Sequence, residues 1–201
     1  MRELRPGVWH WEARHPDWED GADWGPDVSS YAIDNGDRLL LFDPLALPAE
    51  IEELAAGRET AIVLTCPWHE RDARSLAGRL AAPIHVPPPD ERDPDPVPGH
   101  VMTAGDRLPL GVEAFSGMEP NDLVLWVERH GAVVAGDTLI DRGRGLEFPA
   151  DWANTGAIAA RGVPPEQIVA GLRPLLELPV ELVLPTHGAP TDRAALERAL
   201  S

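Results

Sequence analysis

A chain of 201 residues suits one domain and buries roughly 70% of its unfolded surface, enough for a core without disulfides. Its 43% hydrophobic and 25% charged residues are those of a globular protein, and no apolar run approaches the ~20 residues of a bilayer span. Seventeen arginines, no lysine and thirty-four acids give a net charge of −17, which argues against nucleic acid and anionic membrane surfaces as partners. Cys66 is the only cysteine and forms no internal disulfide. The opening M-R-E-L-R-P-G-V-W-H lacks the apolar core of a secretory signal, so a cytoplasmic location is the expectation.

In chain order, the first 27 residues form a Trp-rich segment holding Trp9, Trp11, Trp18 and Trp24. Trp9 and Trp11 alternate with polar neighbours and share one face of a strand. Residues 28–33 and 38–42 read as strands joined across Asn35-Gly36, whose residues tolerate the positive φ of a hairpin turn. Residues 48–56 read as a short helix, 61–65 as a buried strand and 71–80 as an amphipathic helix with Ala73, Leu76, Ala77 and Leu80 inward. Residues 83–86 form a strand, and the Pro/Asp-rich stretch 87–99 an irregular loop. Strands are expected at 108–115, 123–127 and 132–135, with His130-Gly131 turning between the last two. A helix from Pro164-Pro165 to Leu176, a strand at 180–184 and a final helix capped by Thr191 complete the chain. This order predicts one α/β (α+β) domain over 1–201, a four-layer αββα sandwich.

In layered folds, chemistry gathers in the loops after strand ends. Residues 61–65 run into C-P-W-H-E-R-D (Cys66 to Asp72), 132–135 into G-D-T (Gly136 to Thr138), and 180–184 into P-T-H-G (Pro185 to Gly188). Two imidazoles and a carboxylate, His69, His187 and Asp137, are a set that holds Zn²⁺ or Fe²⁺ with positions left open. Each also has a plainer use. His69 and His187 fit as satisfied buried histidines, and Asp137 as a loop cap. Glu70 and Asp72 open a helix, where acids complement the dipole. Arg71 reads as a solvated ion-pair partner, or as a contact for an anionic substrate, and Cys66 as inert packing, with a soft metal ligand or a nucleophile as its other uses. His85, His100 and His130 read as structural.

Over nearly its whole length the chain resembles the metallo-β-lactamase superfamily. V-S-S-Y-A-I-D-N-G-D-R-L-L-L-F-D-P (Val28 to Pro44) is similar to that family's opening hairpin, A-G-D-T-L (Ala135 to Leu139) to its bridging-aspartate segment, and L-P-T-H-G (Leu184 to Gly188) to the segment with its last histidine. The H-x-H-x-D-H motif is degenerate. Counting back from the helix aligns His69 and Asp72 with it; counting forward aligns Cys66, Trp68, Glu70 and Arg71. Met118 stands where the family's middle histidine is expected, and a thioether is a poor ligand for such ions.

The resemblance implies one zinc, iron or manganese ion on His69, Asp137 and His187, with Glu70, Asp72 or Glu119 completing the shell or acting as base. The substrate would be a small ester, lactone, amide or thioester lying against Trp18, Trp24, Trp68, Met118 and Glu119. Two other readings stay open: a metal-free binding module on the same fold, and a mononuclear non-haem iron protein. The N-terminal tryptophans either wall a cleft, cover a sheet edge, or form a homodimer contact.

Overall fold

The computed structural model describes residues 1–90, 93–153 and 162–201. Seven strands form the first sheet in sequence order: β1 (Arg2–Arg5), β2 (Val8–Arg14), β3 (Asp27–Asp34), β4 (Arg38–Phe42), β5 (Glu59–Val63), β6 (Ile84–Val86) and β7 (His100–Val101). Pairing is antiparallel from β1 to β4 and parallel from β4 to β7. The second sheet comprises β8 (Arg107–Leu108), β9 (Val112–Ser116), β10 (Leu123–Val127), β11 (Ala132–Gly136) and β14 (Leu182–Pro185), in that spatial order. A small ribbon of β12 (Ile140–Asp141) and β13 (Leu146–Glu147) lies apart.

The period of two in each strand sorts side chains into layers. In β4, Leu40 and Phe42 face the inter-sheet core with Tyr31, Ile33, Val63, Leu125 and Val134. Leu39 and Leu41 point outward, onto α1 (Ala49–Ala55) and α2 (Ala73–Leu80) through Ile51, Ala55, Ala73 and Leu76. A strand buried on both faces reads as the unbroken apolar run Leu39–Phe42, and each such side chain contributes about 1.5–3 kcal/mol. On the other side, Val124, Trp126 and Val133 meet α4 (Pro165–Leu172) and α5 (Arg193–Ala199) through Leu172, Ala195 and Leu196. The short α3 (Ala150–Ala153) lies near the cleft described below. The architecture is the expected helix–sheet–sheet–helix sandwich.

Three local expectations are corrected. Residues 108–115 are not one strand: Gly111, at φ +72, folds them into the β8–β9 hairpin. The cap of α5 is Asp192, whose carboxylate accepts from Ala195 N at 3.0 Å, while Thr191 pairs its backbone with Val183. The helix from Pro165 ends at Leu172 and tightens into a 3₁₀ turn over Arg173–Glu177, where Pro174 lacks the N–H to continue it. In the expected 87–99 loop, positions 91 and 92 lie outside the described residues; the described remainder forms neither helix nor strand.

The parallel pairs β4/β5 and β11/β14 bring four strand ends to one edge of the sandwich. Gly136, at φ +55, permits the closest approach there: a Cβ on it would lie 2.9 Å from Thr65 Cβ.

Candidate functional site

Each of those four strand ends delivers a polar side chain. Asp43 follows β4, Thr65 to His69 follow β5, Asp137 follows β11 and His187 follows β14. All are buried. Asp43 Oδ1 accepts from Thr65 N at 2.9 Å, and its Oδ2 accepts from Thr65 Oγ1 at 2.6 Å. Oδ2 also lies 3.1 Å from His69 Nδ1. The ring is thereby fixed with Nε2 turned toward Asp137 Oδ2, 3.3 Å away. On the far side of the same carboxylate, His187 Nε2 stands 3.4 Å from Asp137 Oδ1.

Charge follows from this packing. Burial alone would raise Asp137, but His69 and then His187 override it and hold the carboxylate well below its ordinary range. Burial opposes protonation of His69, and Asp137 and Asp43 reverse that, pushing its pKa up to about 9. Asp43 is held low by the same imidazole and by Arg71, against its own burial. Burial, then Asp137, Asp122 and Asp43, raise the Cys66 thiol well above its usual value, so it is no nucleophile as it stands.

The donor set suits a metal ion. Cys66, His69 and Asp137 offer donor atoms all within 4.8 Å of one another, and His187 stands just outside that group, across Asp137. Asp137 Oδ1 and His187 Nδ1 are buried without a hydrogen-bond partner among the described residues. Buried orphans of this kind call for an ion or water. The Asp43–His69 contact is the outer carboxylate that ligating histidines ordinarily have. Imidazole, carboxylate and thiol together suit zinc or iron.

A cleft of about 380 Å³ opens over this cluster. Trp24, Trp68 and Trp152 wall it, and Arg71 joins His69, Asp137 and His187 in its lining. Trp24 and Trp152 present ring edges to His187 at 5.2 and 5.8 Å, and Trp68 Nε1 donates to Asp137 Oδ2 at 3.3 Å.

The other sequence candidates lie elsewhere. Glu70 pairs with Arg74 at 2.5 Å, and Asp72 accepts from Ala46 N at 2.7 Å; neither lines the cleft. Trp18 props the wall, donating to Trp24 O at 2.8 Å, with Arg14 over its ring. Met118 packs against Ala153, and with Glu119 it lines a separate cavity of about 260 Å³ beside α4.

Sequence reasoning missed Asp43, which also follows a buried strand, and Trp152, whose place depends on tertiary packing. It also missed the loop that seats His187. Tyr31 Oη donates to Pro185 O at 2.6 Å, Ser29 N to Thr186 O at 2.8 Å and Ser29 Oγ to Gly188 O at 3.1 Å.

Solved structures share this arrangement of elements. A metallo-β-lactamase from Erythrobacter litoralis, with β-mercaptoethanol in its active site, superposes with a TM-score of 0.68 at 18% identity, over 99% of this chain and 93% of that one. TTHA1623 in a di-iron-bound form gives 0.62 at 25% identity, over 87% and 95%. The metallo-β-lactamase FIM-1 from Pseudomonas aeruginosa, in its mono-zinc form, gives 0.65 at 13%, over 98% and 91%. The chain has the metallo-β-lactamase fold. No protein-family model matches it, and no curated protein matches it in sequence. This chain carries Asp137 and His187 after β11 and β14, and Cys66, Trp68 and His69 after β5.

Proposed function

We propose that the protein is a metal-dependent hydrolase acting on a small ester, lactone, amide or thioester. The observation that carries this reading is the convergence of His69, Asp137 and His187 in the lining of one cleft, with Cys66 within donor-atom reach of His69 and Asp137 and with buried donor atoms left unpaired. His69 Nε2 and the Asp137 carboxylate would hold one ion, with Cys66 Sγ and His187 Nε2 on either side. Zinc and iron are the ions named for two of the similar structures. When bound, such an ion supplies a Lewis acid and lowers the pKa of a water molecule.

The chain's own groups do the rest. Asp43 lies against His69 Nδ1 and favours the proton there, so that once the ring gives up its Nε2 proton on metal binding, Nε2 is the lone-pair donor. Asp137, held well below its ordinary range, stays anionic, and its Oδ1, without a hydrogen-bond partner among the described residues, is placed to accept a hydrogen bond that orients an attacking water. Trp24, Trp68 and Trp152 exclude solvent and hold an apolar acyl or leaving group against the reacting carbonyl. Glu70 and Asp72 are engaged by Arg74 and Ala46 N and have no part in this scheme.

The test is a panel of aryl esters, lactones and thioesters assayed with the metal-loaded protein, with chelator-treated protein and with Asp137→Asn. Turnover that chelator abolishes, and that Asp137→Asn lowers by at least about a hundredfold, is expected. Turnover indifferent to chelator contradicts the reading, and no turnover on any substrate leaves the Trp-lined cleft as a binding site.

A further inference from the structure

Arg71 is unusual among the cations of this acidic chain. It sits at φ +44, a left-handed conformation that a side chain of its size adopts only when its surroundings enforce it. Its Nη1 donates to Asp43 O at 2.6 Å, to Ser29 O at 2.9 Å and to Ser30 Oγ at 3.3 Å. All three acceptors are neutral, and no carboxylate pairs with Arg71 among the described residues, although acids outnumber arginines two to one. Its Nε is buried without a partner, and the guanidinium lines the cleft beside His69 and Asp137. The expected solvated salt bridge is absent among the described residues. A guanidinium tethered through Nη1 to neutral acceptors, with no carboxylate in ion-pair contact among the described residues and Asp43 acting on it only through space, is placed to contact an anion at the edge of a Trp-walled cleft.

Resting on the hydrolase reading for the identity of the reacting group, we infer that Arg71 selects substrates carrying a carboxylate. Its Nη2 receives the anion while the apolar body lies between Trp24, Trp68 and Trp152. A monoanion fits better than a phosphate dianion, because Asp43 and Asp137 stand close by and repel the second charge.

The test measures binding, so it stands apart from turnover. 3-Phenylpropanoate and its neutral isostere 3-phenylpropanamide are titrated into the protein by calorimetry, before and after chelator treatment. The wild-type protein is expected to bind the acid about tenfold tighter than the amide. Chelator should leave that preference in place, Arg71→Gln should reduce it to within about twofold, and Arg71→Lys should retain part of it. A preference that vanishes with chelator places the carboxylate on the metal and overturns the inference. So does equal binding of acid and amide by the wild-type protein, binding of neither at millimolar concentration, or an undiminished preference in folded Arg71→Gln. The wild-type comparison needs no variant to fold. If the acid preference follows Arg71 but no ester is hydrolysed, the hydrolase reading fails and the inference stands.

Discussion

Asp43 and His69 are joined across 26 positions of sequence by a buried contact of 3.1 Å between carboxylate Oδ2 and imidazole Nδ1. The carboxylate orients the ring and raises its basicity, so it acts on whatever His69 Nε2 binds. Asp43→Asn keeps the shape and an acceptor for Thr65 N but removes the charge. Zinc affinity, measured by competition with a chromophoric chelator, is expected to fall about 10- to 100-fold with the fold intact. An unchanged affinity would show that His69 is not a ligand.

Gly188 holds the chain at φ +98 immediately after His187, and a Cβ there would lie 2.5 Å from Asp141 O and 2.6 Å from Asp141 Cβ. Neither atom is the free end of a side chain, so the backbone must move. Gly188→Ala is expected to cost about 3 kcal/mol, and to lower Tm by roughly 6–12 °C in thermal unfolding. Metal affinity should fall with it, because His187 shares the displaced turn. A Tm within a degree of wild type would mean that the loop relaxes freely.

Loop placement is expected to respond to pH through His10. His10 is buried, stacks on Tyr31 at 5.1 Å and lies 2.9 Å from the Ser29 hydroxyl that holds Gly188. Burial first, then Arg2 and the chain's amino terminus, lower its pKa from 6.5 to about 4. Because the folded value lies below the unfolded one, the neutral ring stabilises the fold above pH 6.5. That contribution drains away as pH falls from 6.5 toward 4. Urea unfolding at neutral pH and at about pH 5 should show a smaller loss for His10→Gln than for wild type. Equal losses would place the acid sensitivity elsewhere.

Tyr31→Phe removes only the hydroxyl that donates to Pro185 O. The buried carbonyl then lacks that partner, and a loss of about 1–2 kcal/mol is expected in urea unfolding, with the sandwich retained. A neutral effect would mean that the carbonyl is satisfied another way.

The elements legible in the sequence are those where one local rule dominates. Asn35-Gly36 fixes the β3–β4 turn, and the apolar runs of β4, β5, β10 and β11 announce strands buried on both faces. The hairpin at Gly111 was hidden because Leu108, Leu110 and Val112 are apolar on both sides of the turn. Thr191 and Asp192 both have capping side chains, and what decided between them was the pairing of Thr191 with Val183, a tertiary matter. At the site, His69, Asp137 and His187 were visible because each follows a buried strand, and Asp43 obeys the same rule. Arg71 was not legible in this way, since its direction depends on a left-handed φ that no local pattern specifies.

The most direct test of the central claim is the metal content of untagged protein purified without chelator, by elemental mass spectrometry, alongside His187→Ala and His69→Ala. Near-stoichiometric zinc, iron or manganese, lowered in both variants, is the predicted result. Protein that carries no metal even after incubation with excess zinc would contradict the account.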